Sequence, residues 1–170
     1  SSYSGAILSA LPGMSFGDVL LIELQTTAMT TPAGDPTYGP IEVLDINYEA
    51  IRLATALGIV VVEAGGNGTN NGGTPAVDLD AYTNAGGQRI LWRDLANADF
   101  RDSGAIIVAA ATSSAPHTRL AYSTFGERID CYGWGQNVET TTTDSMGSTT
   151  AYQSNFGGTS SASPIITGAA

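Results

Sequence analysis

Three apolar runs and one amphipathic stretch organise the chain. Asp18 to Leu24 (DVLLIEL) is continuously apolar with one acid inside it, Ile59 to Glu63 is rich in Val, and Gly104 to Ala111 (GAIIVAAA) is apolar throughout. Runs of this length read as strands buried on both faces. Between the first two, Glu42 to Leu57 places Ile46, Ala50, Ile51, Leu53, Ala54 and Leu57 at helical spacing, and Gly58 ends the pattern. Residues 4–11 read as the last turns of a helix closed by Pro12-Gly13. Residues 26–40, rich in Thr, Pro and Gly, read as loop, as does the Gly/Asn-rich stretch 64–73, and residues 74–103 read as irregular. Ile129 to Tyr132 and Val138 to Thr141 are short strands, and Thr159 to Ala170 is the start of a helix that the chain end cuts off. The order predicts an α/β fold of three layers, α/β/α, around a mainly parallel sheet, with a right-handed crossover over residues 18–63. Ligands on such sheets sit beyond the carboxyl ends of strands. Here those ends are Leu24-Gln25 and Ala64-Gly65-Gly66-Asn67.

Composition narrows the function. Hydrophobic residues are 42% and charged residues 13% of the 170. The charged share of an ordinary domain is about 25%, so neither a disordered chain nor a charge-laced coiled coil fits. The net charge is −10, with 16 acids against 6 bases, every base an Arg. That excludes a nucleic-acid binder, which needs a basic footprint, and an anionic membrane surface as partner. No apolar run approaches the roughly 18 residues of a membrane span. Cys131 is the single cysteine and has no internal disulfide partner.

The chemistry concentrates in Gly157-Gly158-Thr159-Ser160-Ser161-Ala162-Ser163-Pro164, followed by Gly168-Ala169-Ala170. A serine entering a helix after a glycine turn projects its hydroxyl clear of packing, and first-turn N–H groups can stabilise developing negative charge. Taken alone, Gly-Thr-Ser reads rather as a plain N-cap at Thr159, Ser160 or Ser161. The longer string resembles the nucleophile segment of subtilisin-like serine peptidases. Gly58-Ile59-Val60-Val61-Val62-Glu63-Ala64-Gly65-Gly66-Asn67-Gly68 is similar to that family's oxyanion strand and loop. Arg119 to Gly126 and Arg128 to Gly135 are similar to its following turn and strand. The resemblance covers nearly the whole chain and implies a subtilisin-like sheet, truncated at both ends.

The resemblance implies that Ser160 is the nucleophile and that Asn67 donates to the oxyanion beside the Ser160 N–H. It implies that Glu23, Leu24, Gln25, Ala64, Gly65 and Gly66 bind a peptide or protein substrate. The family's triad also needs an Asp and a His, in chain order Asp, His, Ser. The one histidine, His117, follows the oxyanion segment and reads as a surface residue. The missing pair is expected upstream, on an N-terminal fragment, and the chain by itself is expected to lack a general base. Extracellular location follows from the family's habit.

Several features stay open at this level. Glu23 and Glu63 either select a basic substrate side chain, if parallel neighbours bring them together, or pair with internal Arg and backbone donors. Asp130 matches an acid that holds an ion in some relatives, but Arg128 replaces its companion carboxylate, so no metal site is assigned. The oxygen-rich loops 66–73 and 78–85 lack EF-hand spacing and read as solvated, with calcium as the alternative; no cofactor is otherwise implied. A nucleotide-binding domain is disfavoured because Gly66-Asn67-Gly68 has no third glycine in place and the chain has no Lys. A non-catalytic pseudo-peptidase scaffold or peptide-binding module is the remaining alternative.

Overall fold

The computed structural model describes residues 2–31, 33–68, 76–144 and 146–170. Four strands form a parallel sheet: β1 (Val19–Ile22), β4 (Val60–Ala64), β5 (Ile106–Ala111) and β6 (Cys131–Trp134), in that spatial order. Two antiparallel hairpins accompany it, β2 (Thr26–Thr30) with β3 (Pro36–Gly39), and β7 (Val138–Thr142) with β8 (Ala151–Phe156). The helices are α1 (Tyr3–Ala10), α2 (Asp45–Ala56) and α3 (Thr159–Thr167).

Side-chain alternation along the strands explains the layers. Leu20, Ile22 and Val61 point to one face and pack with Ile7 of α1 and Ala50, Ile51 and Ala54 of α2. Val19, Leu21, Val60, Val62, Ile106, Val108 and Ala110 point to the other and pack with Ala162 and Ile166 of α3. The expected three-layer α/β/α arrangement is therefore present, with a sheet covered on both faces. Among the described residues no helix is long and apolar enough to cross a membrane.

Three expectations need correction. Residues 26–40 are not plain loop: Met29 is fully buried, and the β2–β3 hairpin carries it into a second cluster with Val43, Val77, Leu79 and Leu91. The buried positions of β2, Thr26 and Met29, stand three apart across a register shift, so they give no strand period. The helix expected from Glu42 begins instead as a 3₁₀ turn, Ile41–Val43, and α2 starts after Leu44, whose extended backbone (φ −86°, ψ 126°) separates the two. The buried face of α2 is Asn47, Ala50, Ile51 and Ala54, whereas Ile46, Leu53 and Leu57 are exposed on a neighbouring stripe. Strand β8 gave no apolar signal because its residues lie on a hairpin with little burial.

Candidate active site

The Gly157 to Pro164 segment enters α3 directly from the β7–β8 hairpin. Gly158 is the N-cap residue, at φ 98° and ψ 172°, a left-handed-side backbone that favours glycine. Thr159, Ser160 and Ser161 then form the first helical turn, where the Ser161 N–H donates to the Gly158 carbonyl at 3.1 Å and the Ser160 N–H has no acceptor among the described residues. Ser160 is partly exposed, and Ser161 is buried with its hydroxyl donating to the Trp134 and Gly158 carbonyls, both at 2.9 Å. The serine that packs and the serine that projects are thus adjacent, and they are separated by helical geometry alone.

Asn67 reaches the same turn from the end of β4. Its Oδ1 accepts from the Thr159 N–H at 2.7 Å and from the Thr159 hydroxyl at 3.0 Å. The Thr159 hydroxyl in turn accepts from the Gly66 N–H at 3.2 Å. Gly66 adopts φ 102°, and a Cβ there would lie 2.6 Å from the Gly39 Cα, so the β2–β3 hairpin packs against a position that only glycine fills. With Oδ1 accepting from Thr159, Nδ2 is the donor end of the Asn67 amide. A Cβ placed on Gly158 would lie 3.3 Å from Asn67 Nδ2, 3.5 Å from Asn67 Oδ1 and 3.6 Å from the Ser160 N. Both nitrogens therefore border one small space beside a residue with no side chain. That space is suited to a negatively charged oxygen.

The other residues singled out from sequence divide into two groups. Gln25 comes to Asn67, its Oε1 accepting from the Asn67 N–H at 2.9 Å. Ala64 and Gly65 run into Gly66, with the Gly65 N–H donating to Val108 and the Gly65 carbonyl accepting from the Thr124 hydroxyl, both at 2.9 Å. Glu23 and Leu24 follow β1 and are exposed. Glu23 lines a cleft of about 370 Å³ beside the first turns of α3, with Glu139, Ser161, Pro164 and Ile165. Partial burial raises its carboxyl pKa.

Glu23 and Glu63 do not meet. Glu63 is fully buried, and its Oε1 accepts from the Glu42 N–H at 3.1 Å on the α2 side of the sheet. Its Oε2 has no partner among the described residues. Burial, and then the neighbouring Glu42 carboxylate, push Glu63 up to about 8. Glu42 is held by Arg128, with Nε and Nη2 donating at 2.8 and 3.1 Å. Arg128 is itself fully buried; burial opposes its charge, but Glu42, Asp130 and Asp102 outweigh this and hold the guanidinium above its usual value.

Asp130 is occupied by cations of the chain itself. Its Oδ2 accepts from Arg128 at 2.8 Å and from the Ile107 N–H at 2.8 Å, and its Oδ1 accepts from Arg93 at 2.7 Å. Among the described residues no three His, Cys, Asp or Glu side chains gather as a metal site. Residues 69–75, which hold most of the loop weighed for calcium, lie outside the described residues. His117 is exposed, its Nδ1 facing the Thr112 carbonyl at 3.0 Å and its ring stacked on Trp134. Among the described residues the Ser160 hydroxyl has no hydrogen-bonded base. Tyr122 was missed from sequence, although its hydroxyl accepts from the Gly158 N–H at 3.0 Å.

A family model described as the subtilase family, peptidase S8, matches residues 13–170. A search of curated proteins finds no match. Among solved structures, the prenylagaramide maturation protease PagA aligns with a TM-score of 0.54 at 16% identity, covering 97% of this chain and 45% of that one. The S41 psychrophilic protease aligns with a TM-score of 0.55 at 16% identity, over 98% of this chain and 45% of that one. The PatG macrocyclase in complex with a peptide aligns with a TM-score of 0.54 at 15% identity, over 97% and 37%. The chain thus spans less than half the length of these structures. At such identities the likeness concerns the fold.

Proposed function

Since the match runs over residues 13–170, the chain belongs to the subtilase family, and we propose that it is the nucleophile-bearing part of a serine endopeptidase. The observation that carries this reading is the Asn67–Thr159 lock, which turns Asn67 Nδ2 toward the space that the Ser160 N–H also borders. Ser160 Oγ attacks the carbonyl carbon of a peptide bond while a base takes its proton. The carbonyl oxygen becomes an oxyanion held by the two nitrogens. The base then gives its proton to the leaving amine as the C–N bond breaks, and an ester on Ser160 remains for water to hydrolyse. Glu23 to Gln25 and Ala64 to Gly66 flank the site as the substrate-binding edges. The complex of PatG with a peptide is in keeping with a peptide substrate.

The base and the acid that orients it come, in this proposal, from a segment outside these residues. Two features support that. Ser160 has no base among the described residues, and β1, an apolar strand of Val, Leu, Leu and Ile, is only half-covered at the end of the sheet. A segment carrying His and Asp beside β1 and the cleft at Glu23 would complete both. The 170-residue chain alone is then expected to have little peptidase activity, since a serine without a base is a poor nucleophile at neutral pH.

The test uses the complete protein and the isolated chain in parallel. The complete protein should hydrolyse a peptide ester and be acylated at Ser160, and Ser160→Ala should lower turnover by about 10⁶-fold. Robust turnover by the isolated chain that Ser160→Ala abolishes would sink the requirement for an outside base. A complete protein that binds peptide but never forms the ester would instead support a non-catalytic scaffold.

A further inference from the structure

The turn that presents Ser160 is held from two sides. Asn67 grips Thr159 on one side. On the other stands Tyr122, whose hydroxyl donates to the Gly135 carbonyl at 2.5 Å and accepts from the Gly158 N–H at 3.0 Å. The Gly158 N–H also donates to that Gly135 carbonyl, at 3.0 Å. Phenol, carbonyl and amide form a closed triangle two residues before the nucleophile. The room for it is built in: a Cβ on Gly135 would lie 2.6 Å from the Tyr122 hydroxyl and 2.4 Å from the Ala110 Cβ. The Tyr122 ring packs against the cluster of Val62, Val108, Ala110 and Ala162, so its direction is fixed by the sheet and α3. Burial raises the phenol pKa, which keeps the donor proton in place at alkaline pH.

The consequence lies in Gly158. It has no side chain to hold its backbone, it sits at φ 98°, and it separates the hairpin from the helix. Small rotations there would swing the Ser160 N–H away from Asn67 Nδ2. We propose that Tyr122 is a positioning residue for the nucleophile turn, fixing the Gly158 amide so that the Ser160 N–H and the Asn67 side chain converge on one oxyanion. The phenol touches neither substrate nor the reacting atoms; it acts through Gly158. The inference rests on the reading of Ser160 as nucleophile.

Tyr122→Phe in the complete protein removes the hydroxyl and keeps the ring. A displacement of about 1 Å at a catalytic group costs on the order of 10²-fold, so kcat should fall by about 10- to 100-fold, with KM and the melting temperature essentially unchanged. A peptide aldehyde, which forms a tetrahedral adduct with an oxyanion, should lose affinity by a similar factor, and a non-cleavable peptide should bind as before. Unchanged kcat and aldehyde affinity, or a loss confined to KM, would overturn the proposal. If the Phe variant folds poorly, 4-aminophenylalanine and 4-methylphenylalanine at position 122 fill similar volume; the amino nitrogen keeps a donor for the Gly135 carbonyl and a lone pair, a weaker acceptor, for the Gly158 N–H, and the methyl group has neither. The amino variant should recover kcat relative to the methyl one, and equal rates would overturn the proposal. Ser160→Ala runs beside them: if it retains full turnover, the reading of Ser160 has failed, whatever Tyr122 does.

Discussion

Strand β4 feeds two polar clusters of opposite character. Glu63, on the strand, enters a buried network with Glu42 and Arg128. Asn67, beyond its end, enters the nucleophile turn with Thr159, Gly158 and Tyr122. The first cluster is ionic and sealed; Arg128, Glu42 and Glu63 are at most 1% exposed. The second is made of amides, hydroxyls and backbone groups and opens at Ser160. Neutral donors can be desolvated at modest cost once each is paired. Buried charges need complete pairing, because a lone one is expensive. The chain thus uses charge to tie the loops behind the sheet and neutral groups to set the position of Ser160.

The largest effect on stability should come from Arg128→Ala. It leaves the Glu42 carboxylate buried without its partner and takes one of two arginines from Asp130, a loss of about 3–5 kcal/mol. Urea denaturation reads this directly. A cost below about 1 kcal/mol would mean the network is no stronger than a surface pair, and the contrast would collapse. Asn67→Ala should behave in the reverse way. Turnover of the complete protein should fall by about 10²–10³-fold, while stability drops only about 1 kcal/mol from the lost Thr159 contact. If Asn67→Ala destabilises as much as Arg128→Ala, the nucleophile turn is mainly a structural joint.

The most diagnostic effect concerns pH. The folded-state pKa of Glu63 is raised from an ordinary 4.5 to about 8. Its contribution to stability is fully present below the unfolded value, where both states hold the proton. As pH rises the unfolded chain releases that proton first, so the contribution is lost progressively up to the folded value. The slope is roughly 1 kcal/mol per pH unit within that window. Glu63→Gln keeps the acceptor for the Glu42 N–H and removes the titration. The variant should gain stability over the wild type as pH goes from 5 to about 8, measured by denaturation at several pH values. A parallel pair of pH profiles would show that Glu63 stays ionised in the fold.

How much of this could be read beforehand depended on the kind of signal. The strands at Val19–Ile22, Val60–Ala64 and Ile106–Ala111 announce themselves because a strand buried on both faces needs apolar side chains on both. The Gly-Gly-Thr-Ser-Ser-Ala-Ser-Pro string and Gly-Gly-Asn-Gly marked the turn and the loop that meet at the site. The β2–β3 hairpin escaped, because a single buried Met29 among Thr residues gives no period. Tyr122 escaped as well: its hydroxyl meets Gly158, 36 residues away, and no local spacing encodes that contact. Glu23 and Glu63 stay apart for a related reason. Ile22 is the partner of Glu63 across the β1–β4 pair, so Glu23, one residue on, belongs to the opposite face.

The sequence by itself determined the α/β order of elements and the family, and it marked Ser160 and Asn67 as candidates, since apolar periodicity and short glycine-flanked motifs are properties of neighbouring residues. Only the tertiary structure decided that Thr159 donates to Asn67 Oδ1, that Tyr122 stands behind Gly158, and that Glu63 is sealed with Glu42 and Arg128. Those facts depend on strand register and on contacts between residues 36 to 92 positions apart, and packing, not local pattern, sets distances of that kind.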